Sequence, residues 1–230
     1  MRFRMCAADP VLFRYTGQDF QSSWKYKLVL MVDGMKIISI NVATIGNLFI
    51  AQSGEMQRIV TGIHKHPVSG PATVSKLGLA GDEQADLSVH GGPDKAVYAY
   101  PSEHYAFWEA QRLAVLKREE ALPPGSMGEN LTLQGVLEKD VWIGDRLAIG
   151  DVLLEVTEPR SPCYKFGAKM GFSHAVKLMV QSGASGFYLR VVREGSLQAG
   201  DAIALLPGPR EVSIAHVNDQ RRRGRQRDLF

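Results

Sequence analysis

The sequence predicts a mainly β protein: a closed or nearly closed antiparallel barrel with a few helices at its periphery. Three observations predict it. Short apolar stretches rich in β-branched residues recur along the chain, each bounded by glycine turns. The dipeptide Gly-Asp recurs at 81–82, 144–145, 150–151 and 200–201, and the last three lead into apolar runs. Glycine supplies positive φ in such turns and aspartate bonds its own backbone. Only two stretches have a helical pattern, so no regular succession of strand and helix points to an α/β sheet.

Residues 1–34 carry no clear periodicity. At Met35 the pattern changes, because "MKIISINVATIG" is strand-like and stops at Gly46. Met35 therefore reads as the start of the folded domain, with 1–34 an N-terminal extension. "QRIVTGI", "ATVSKLGL" and "KAVYAY" supply further short strands. A helix is expected from about Pro101, where "PSEHYAFWEAQRLAVLKREE" opens with proline, serine and glutamate and carries an apolar stripe. "NLTL" follows, and "RLAIGDVLLEVT" alternates on both sides of Gly150-Asp151 as the clearest hairpin. The second helix is "SHAVKLMVQSG", with Ser173 as N-cap and Gly183 as stop. "FYLRVV" and "AIALL" complete a domain spanning 35–208, and 209–230 form a basic tail.

An apolar fraction of 45% and a charged fraction of 22% are those of an ordinary globular protein. Two distant cysteines, Cys6 and Cys163, make no disulfide framework, which favours a reducing, cytoplasmic setting. No apolar run approaches the roughly 20 residues of a membrane span, and "KLVLMVDGM" is too short for a signal-peptide core. The net charge of +3 resides in residues 219–230, "DQRRRGRQRDLF"; without them the body carries 22 basic and 22 acidic residues. This tail is expected to be a solvated, disordered terminus. Clustered arginines also bind phosphates, but only Phe230 is aromatic there, so a nucleic-acid arm is disfavoured.

Four polar clusters interrupt the apolar framework. They are "LGLAGDEQAD", "HGGPDKAVYAYPSEHY" beginning at His90, "GSMGENL" with Glu129 and Asn130, and "EPRSPCYKFG" around Cys163. Each has a plain structural reading as a turn, a loop-to-strand boundary or, for Cys163, a small buried hydrophobe. Cys163 also lies between Arg160 and Lys165, where a thiolate is electrostatically favoured. The chain has no CxxC, HExxH, P-loop or GxSxG. Composition and spacing alone establish no active site.

In this order, however, "LGLAGDEQAD", "HGGPDKAVYAYPSEHY", "MGENL", "VWIGDRLAIGDVLLEVTEPRSPCYK" and "SLQAGDAIALL" resemble a MOSC domain, the module named for the C-terminal part of molybdenum-cofactor sulfurase. The likeness is to the hydroxylaminopurine-resistance, YiiM-like branch and runs from about Met35 to about Pro207. It implies a MOSC-type β-barrel, similar to the pyruvate-kinase barrel, that binds the molybdenum cofactor; a pyridoxal phosphate association exists at family level. By the same resemblance Cys163 is the expected metal ligand, and soft thiolate suits a sulfur-rich metal centre. Arg160 and Lys165 are candidates for the cofactor's anionic groups. His90, Asn130 and Glu129 match positions expected to line the pocket, and Lys65 and Ser75, from "KHPVSGPATVSKLGL", join the set.

The implied activity is reduction of a small N-hydroxylated substrate, such as a hydroxylaminopurine, with electrons from a separate flavin or iron–sulfur protein. Two other readings stand beside it. One is a carrier in which Cys163 holds the cofactor or a metal–sulfur species without turnover. The other is a Cys–His nucleophilic enzyme using Cys163 and His90. A nucleic-acid or membrane partner is not expected.

Overall fold

A computed structural model of the chain describes residues 34–52, 55–86 and 91–227, of which 51, 52 and 225–227 by backbone alone. The expected start at Met35 falls inside this range; residues 1–33, with Cys6, lie outside it. Strand β1 (Lys36–Val42) follows, then a hairpin of β2 (Gly46–Gln52) and β3 (Glu55–Thr61). Short strands β4 (His66–Pro67), β5 (Ala72–Ser75) and β6 (Gly78–Leu79) lead to β7 (Val97–Pro101). Helix α1 (Tyr105–Leu116) connects β7 to β8 (Leu131–Gln134). β9 (Arg146–Ile149) and β10 (Val152–Pro159) precede α2 (Tyr164–Met170) and α3 (Ala175–Ser182). β11 (Phe187–Arg193), β12 (Gly195–Leu197), β13 (Ala204–Leu206) and α4 (Ile214–Arg227) complete the chain.

Eight strands form one curled sheet in the order β13-β9-β10-β11-β7-β8-β1-β4. The segment entering β13 returns to β1: Ile37 N donates to Asp201 O at 3.0 Å and Ile203 N to Met35 O at 3.0 Å. The curl is thereby stitched nearly shut, which satisfies backbone groups that an open edge would leave to solvent. The hairpin expected at Gly150-Asp151 is present, with Val152 opposite Ile149 and Gly150 at φ 54°, the left-handed region that a two-residue turn requires.

One pairing departs from the antiparallel expectation. β7 and β8 are parallel, joined by the α1 crossover. A single βαβ unit inside an antiparallel barrel leaves no repeating alternation in the sequence.

The alternation of β7 divides the interior in two. Val97 and Ala99 enter the barrel core with Ile37, Leu131, Leu147, Leu154 and Phe187. Tyr98 and Tyr100 point to the other face, into an aromatic layer with Trp108, Met127, Phe166, Met170 and Tyr188, covered by α1, α2 and α3. Trp108 Nε1 donates to Tyr100 Oη at 2.6 Å, and Tyr100 in turn donates to Ala184 O at 3.1 Å. This second layer carries the residues that shape the cleft.

The expectation of a disordered arginine tail is corrected in its described part, because α4 is helical through Arg227. Ile214 is fully buried in the barrel core, and Asn218 donates to Gly183 O at 2.9 Å. One inward face repeating every three to four residues, with arginines tolerated well in a helix, outweighs the charge run. α2 adds to the two expected helices, and the N-cap position of α3 falls on His174 rather than Ser173, without a side-chain capping bond.

Candidate functional site

The β10–α2 junction, residues 160–163, crosses the open side of the aromatic layer. Arg160 follows the last residue of β10, and its N donates to Gly186 O at 3.3 Å. Its guanidinium is buried, with its carbon 5.0 Å from the Tyr98 ring centre and 4.9 Å from that of Phe166. Nη1 donates to Met127 O at 2.9 Å and to Tyr98 Oη at 3.5 Å. Burial opposes the charge, but the electronegative groups of Tyr98, Tyr188 and Cys163 outweigh it and raise the pKa. Cys163 occupies the N-cap position of α2 with its side chain half-buried.

Facing this junction, Asp82 ties three segments together. Its carboxylate, 4% exposed, pairs with Lys65, accepts from Ala43 N at 2.9 Å and from Asn130 Nδ2 at 2.9 Å. Asn130 Oδ1 accepts from Tyr98 N at 3.0 Å, so the amide is held from both ends. Burial lowers the pKa of Lys65, against the opposing pull of Asp82. Gly62 permits the close approach of the β3 end to this loop, since a Cβ there would lie 2.4 Å from Glu83 O.

These groups line a single cleft of about 670 Å³ counted out to its open mouth. Its wall brings together Lys65, Asn130, Arg160, Cys163 and Lys165 from the sequence-derived set, and adds Asp82, Tyr98 and Tyr188. Lys165 reaches toward the β3 end, with Nζ 3.4 Å from Val60 O.

The other candidates fall elsewhere. Glu129 is fully buried behind the cleft. Its carboxylate accepts from Tyr105 Oη, from Gly125 N and Thr132 Oγ1 at 2.8 Å, and from Met127 N at 3.0 Å. With those donors its role is to fold the 125–129 loop that carries Met127 O under Arg160. Ser75 is exposed on β5, outside the cleft, and its hydroxyl donates to Gly78 O at 3.3 Å. His90 lies outside the described residues.

Lys169 was not anticipated. It donates to Ile63 O at 2.8 Å and Gly125 O at 3.0 Å, bracing the cleft floor from α2. Burial, with Arg160 and Lys65 nearby and against the pull of Glu129, brings its pKa down to about 8. Only its place one helical turn after Lys165 hinted at it in the sequence.

The donor set decides which metal chemistry fits. Among the described residues no three His, Cys, Asp or Glu side chains converge to hold a bare metal ion. One soft thiol beside a buried guanidinium and a second cation suits a metal that arrives in its own anionic organic ligand. The residues present are compatible with the molybdenum cofactor: Cys163 offers a thiol of the soft kind a sulfur-rich metal centre takes, and Arg160 and Lys165 offer cations to anionic groups.

Residues 86–204 match the MOSC domain family. YflK of Bacillus subtilis is 40% identical over 163 residues, 70% of this chain and 71% of that one. A protein of Gibberella moniliformis named Reductase is 38% identical over 152 residues, 66% of this chain but 26% of its own length. The crystal structure of YiiM from Geobacillus stearothermophilus superposes with a TM-score of 0.65 at 35% identity, covering 83% of this chain and 85% of that one. No helix among the described residues is long and apolar enough to cross a membrane. With the barrel, the cleft and these likenesses in agreement, the chain belongs to the MOSC domain family, in its YiiM-like branch.

Proposed function

We propose that this chain is a molybdenum-cofactor oxidoreductase that reduces small N-hydroxylated compounds to the corresponding amines. The observation that carries the reading is the half-buried Cys163 thiol in one cleft with the buried Arg160 guanidinium. The likeness to a protein named Reductase supports the redox class. The bound cofactor supplies the two-electron chemistry. Cys163 anchors the metal as a thiolate, which the neighbouring Arg160 favours electrostatically. Arg160 and Lys165 receive anionic groups, and the planar guanidinium, fixed by Met127 O and two rings, does so without losing rotamer freedom.

Asn130 has its amide hydrogens engaged with Asp82 and Asn41 O and its oxygen with Tyr98 N, so it stiffens the cleft wall against which substrate is oriented. Tyr98 and Tyr188, ring centres 5.3 Å apart and tilted by 44°, supply the aromatic part of the wall behind Arg160. The electron donor in this reading is a flavin or iron–sulfur group outside these 230 residues, whose two cysteines are fewer than the four thiolates of an iron–sulfur cluster.

The test is reduction of an N-hydroxylated purine by cofactor-loaded protein with a supplied electron donor. Amine formation that depends on Cys163 supports the reading. A loaded protein that never turns over would make the chain a carrier instead.

A further inference from the structure

We infer that Arg221, on the C-terminal helix, is a positioning residue for the cleft: it fixes the β10–α2 junction that presents Arg160 and Cys163. This rests on the reading of Cys163 as the anchoring thiolate. It gives a task to the arginine cluster, which the sequence alone assigns to a solvated terminus.

Three positions of α4 face the body of the protein at helical spacing. Ile214 is buried in the barrel core, and Ile214 N donates to Val141 O at 3.1 Å. One turn on, Asn218 Nδ2 donates to Gly183 O at 2.9 Å and to Ser185 Oγ at 3.0 Å. The next residue on this face is Arg221. Its Nη1 donates to Pro159 O at 2.9 Å and to Arg160 O at 3.3 Å, and Nη2 lies 3.9 Å from Glu158 Oε2. One planar guanidinium thus spans three consecutive residues, 158–160.

Those residues are where β10 stops. Pro159 is its last paired residue, opposite Phe187, and beyond it only Arg160 N reaches β11, through Gly186 O. The carbonyls of 159 and 160 have run out of strand, and Arg221 supplies their donor. Cys163 follows three residues later with no strand or helix between. The backbone that aims the thiol is therefore held on one side by Gly186 and on the other by α4. A fork of fixed geometry suits two adjacent carbonyls, whereas a single ammonium meets them as a point. Arg222, the next residue, points away to Asp219 at 2.7 Å and is exposed, so it serves as an internal control of equal charge.

The experiment compares Arg221→Ala, Arg221→Lys and Arg222→Ala in the full chain, with two readouts. The first is the alkylation rate of Cys163 in cofactor-free protein, followed by peptide-resolved mass spectrometry so that Cys6 is read separately. The second is retention of molybdenum during dialysis of cofactor-loaded protein. Losing a charge-assisted clamp on two carbonyls is expected to raise the alkylation rate at least about fivefold in Arg221→Ala. Arg221→Lys falls between it and the wild type, and Arg222→Ala matches the wild type. Molybdenum retention follows the same order.

Where Arg221→Ala unfolds, Arg221→Lys carries the comparison at matched thermal midpoint. An alkylation rate within twofold of wild type in both Arg221 variants overturns the inference, as does an equal change in Arg222→Ala. If the wild type holds no molybdenum while the alkylation order stands, the positioning role survives and the proposed function falls.

Discussion

Replacing Asp82 by asparagine removes the charge that faces Lys65 while keeping the shape of the side chain. In the folded protein Asp82 is 4% exposed and Lys65 8% exposed, so neither is rescued by solvent. Removing one member of a buried ion pair costs about 3–5 kcal/mol when the survivor stays charged. Two features reduce this. The asparagine oxygen still accepts from Ala43 N, and Lys65, whose pKa burial already lowers, sheds its proton more readily once Asp82 no longer opposes that shift. Against them, with the oxygen kept toward Ala43 N and Lys65, the new NH₂ group faces the Asn130 Nδ2 that now donates to Asp82, which leaves one polar contact unmade. The expected loss near neutral pH is about 2–3 kcal/mol.

Urea unfolding with an unchanged m-value measures it. The pH dependence identifies the partner. With Lys65 depressed further in the variant than in the wild type, the penalty is full while the lysine is protonated in both proteins. It shrinks as pH rises from the variant's folded pKa to the wild-type folded pKa, itself below the ordinary value of 10.5, and is level beyond. A loss under about 1 kcal/mol, or one that does not change between neutral and alkaline pH, would refute the claim that Asp82 and Lys65 form a buried, mutually dependent pair.

Glu129→Gln brings an NH₂ group against either the Gly125 amide, now on Oε1, or the Met127 amide, now on Oε2. The expected cost is about 2–3 kcal/mol in unfolding free energy, with Arg160 loosened through Met127; a thermal midpoint equal to wild type would contradict it. Lys169→Met removes a cation whose folded pKa is about 8. A depressed lysine burdens the folded state at low pH and relieves it as pH climbs, so wild type gains stability relative to the variant from about 8 toward 10.5. A flat difference across that window would place the titration elsewhere.

The parts of the fold legible in the sequence were those encoded locally. The Gly150 turn and the alternation around it define a hairpin with no reference to the rest of the chain. α2 was hidden because it follows Pro162-Cys163, is seven residues long and contains Gly167. That glycine answers to tertiary packing: a Cβ there would lie 3.2 Å from Ser173 O. The tail reads as disordered from its charge density, because the inward face of Ile214, Asn218 and Arg221 has partners remote in sequence. In the cleft, Arg160, Cys163 and Lys165 stand together in one short segment. Asp82 looked like a turn residue, since its pairing with Asn130 crosses 48 positions. Tyr98 looked like one more strand residue, and only the two-faced burial of β7 turns it toward Arg160.

The central claim is that Cys163 anchors the molybdenum cofactor in this cleft. Metal and pterin analysis of protein purified from a cofactor-competent host, wild type beside Cys163→Ser, tests it most directly. Serine is nearly isosteric, so the variant is expected to fold, within about 1 kcal/mol or a little more of wild type, as checked by circular dichroism. The hydroxyl is a harder, more basic donor than the thiolate. The account predicts near-stoichiometric molybdenum and pterin in the wild type, and loss of stable molybdenum in the folded serine variant. A folded wild type without either, or a folded serine variant with the wild-type molybdenum content, would contradict it.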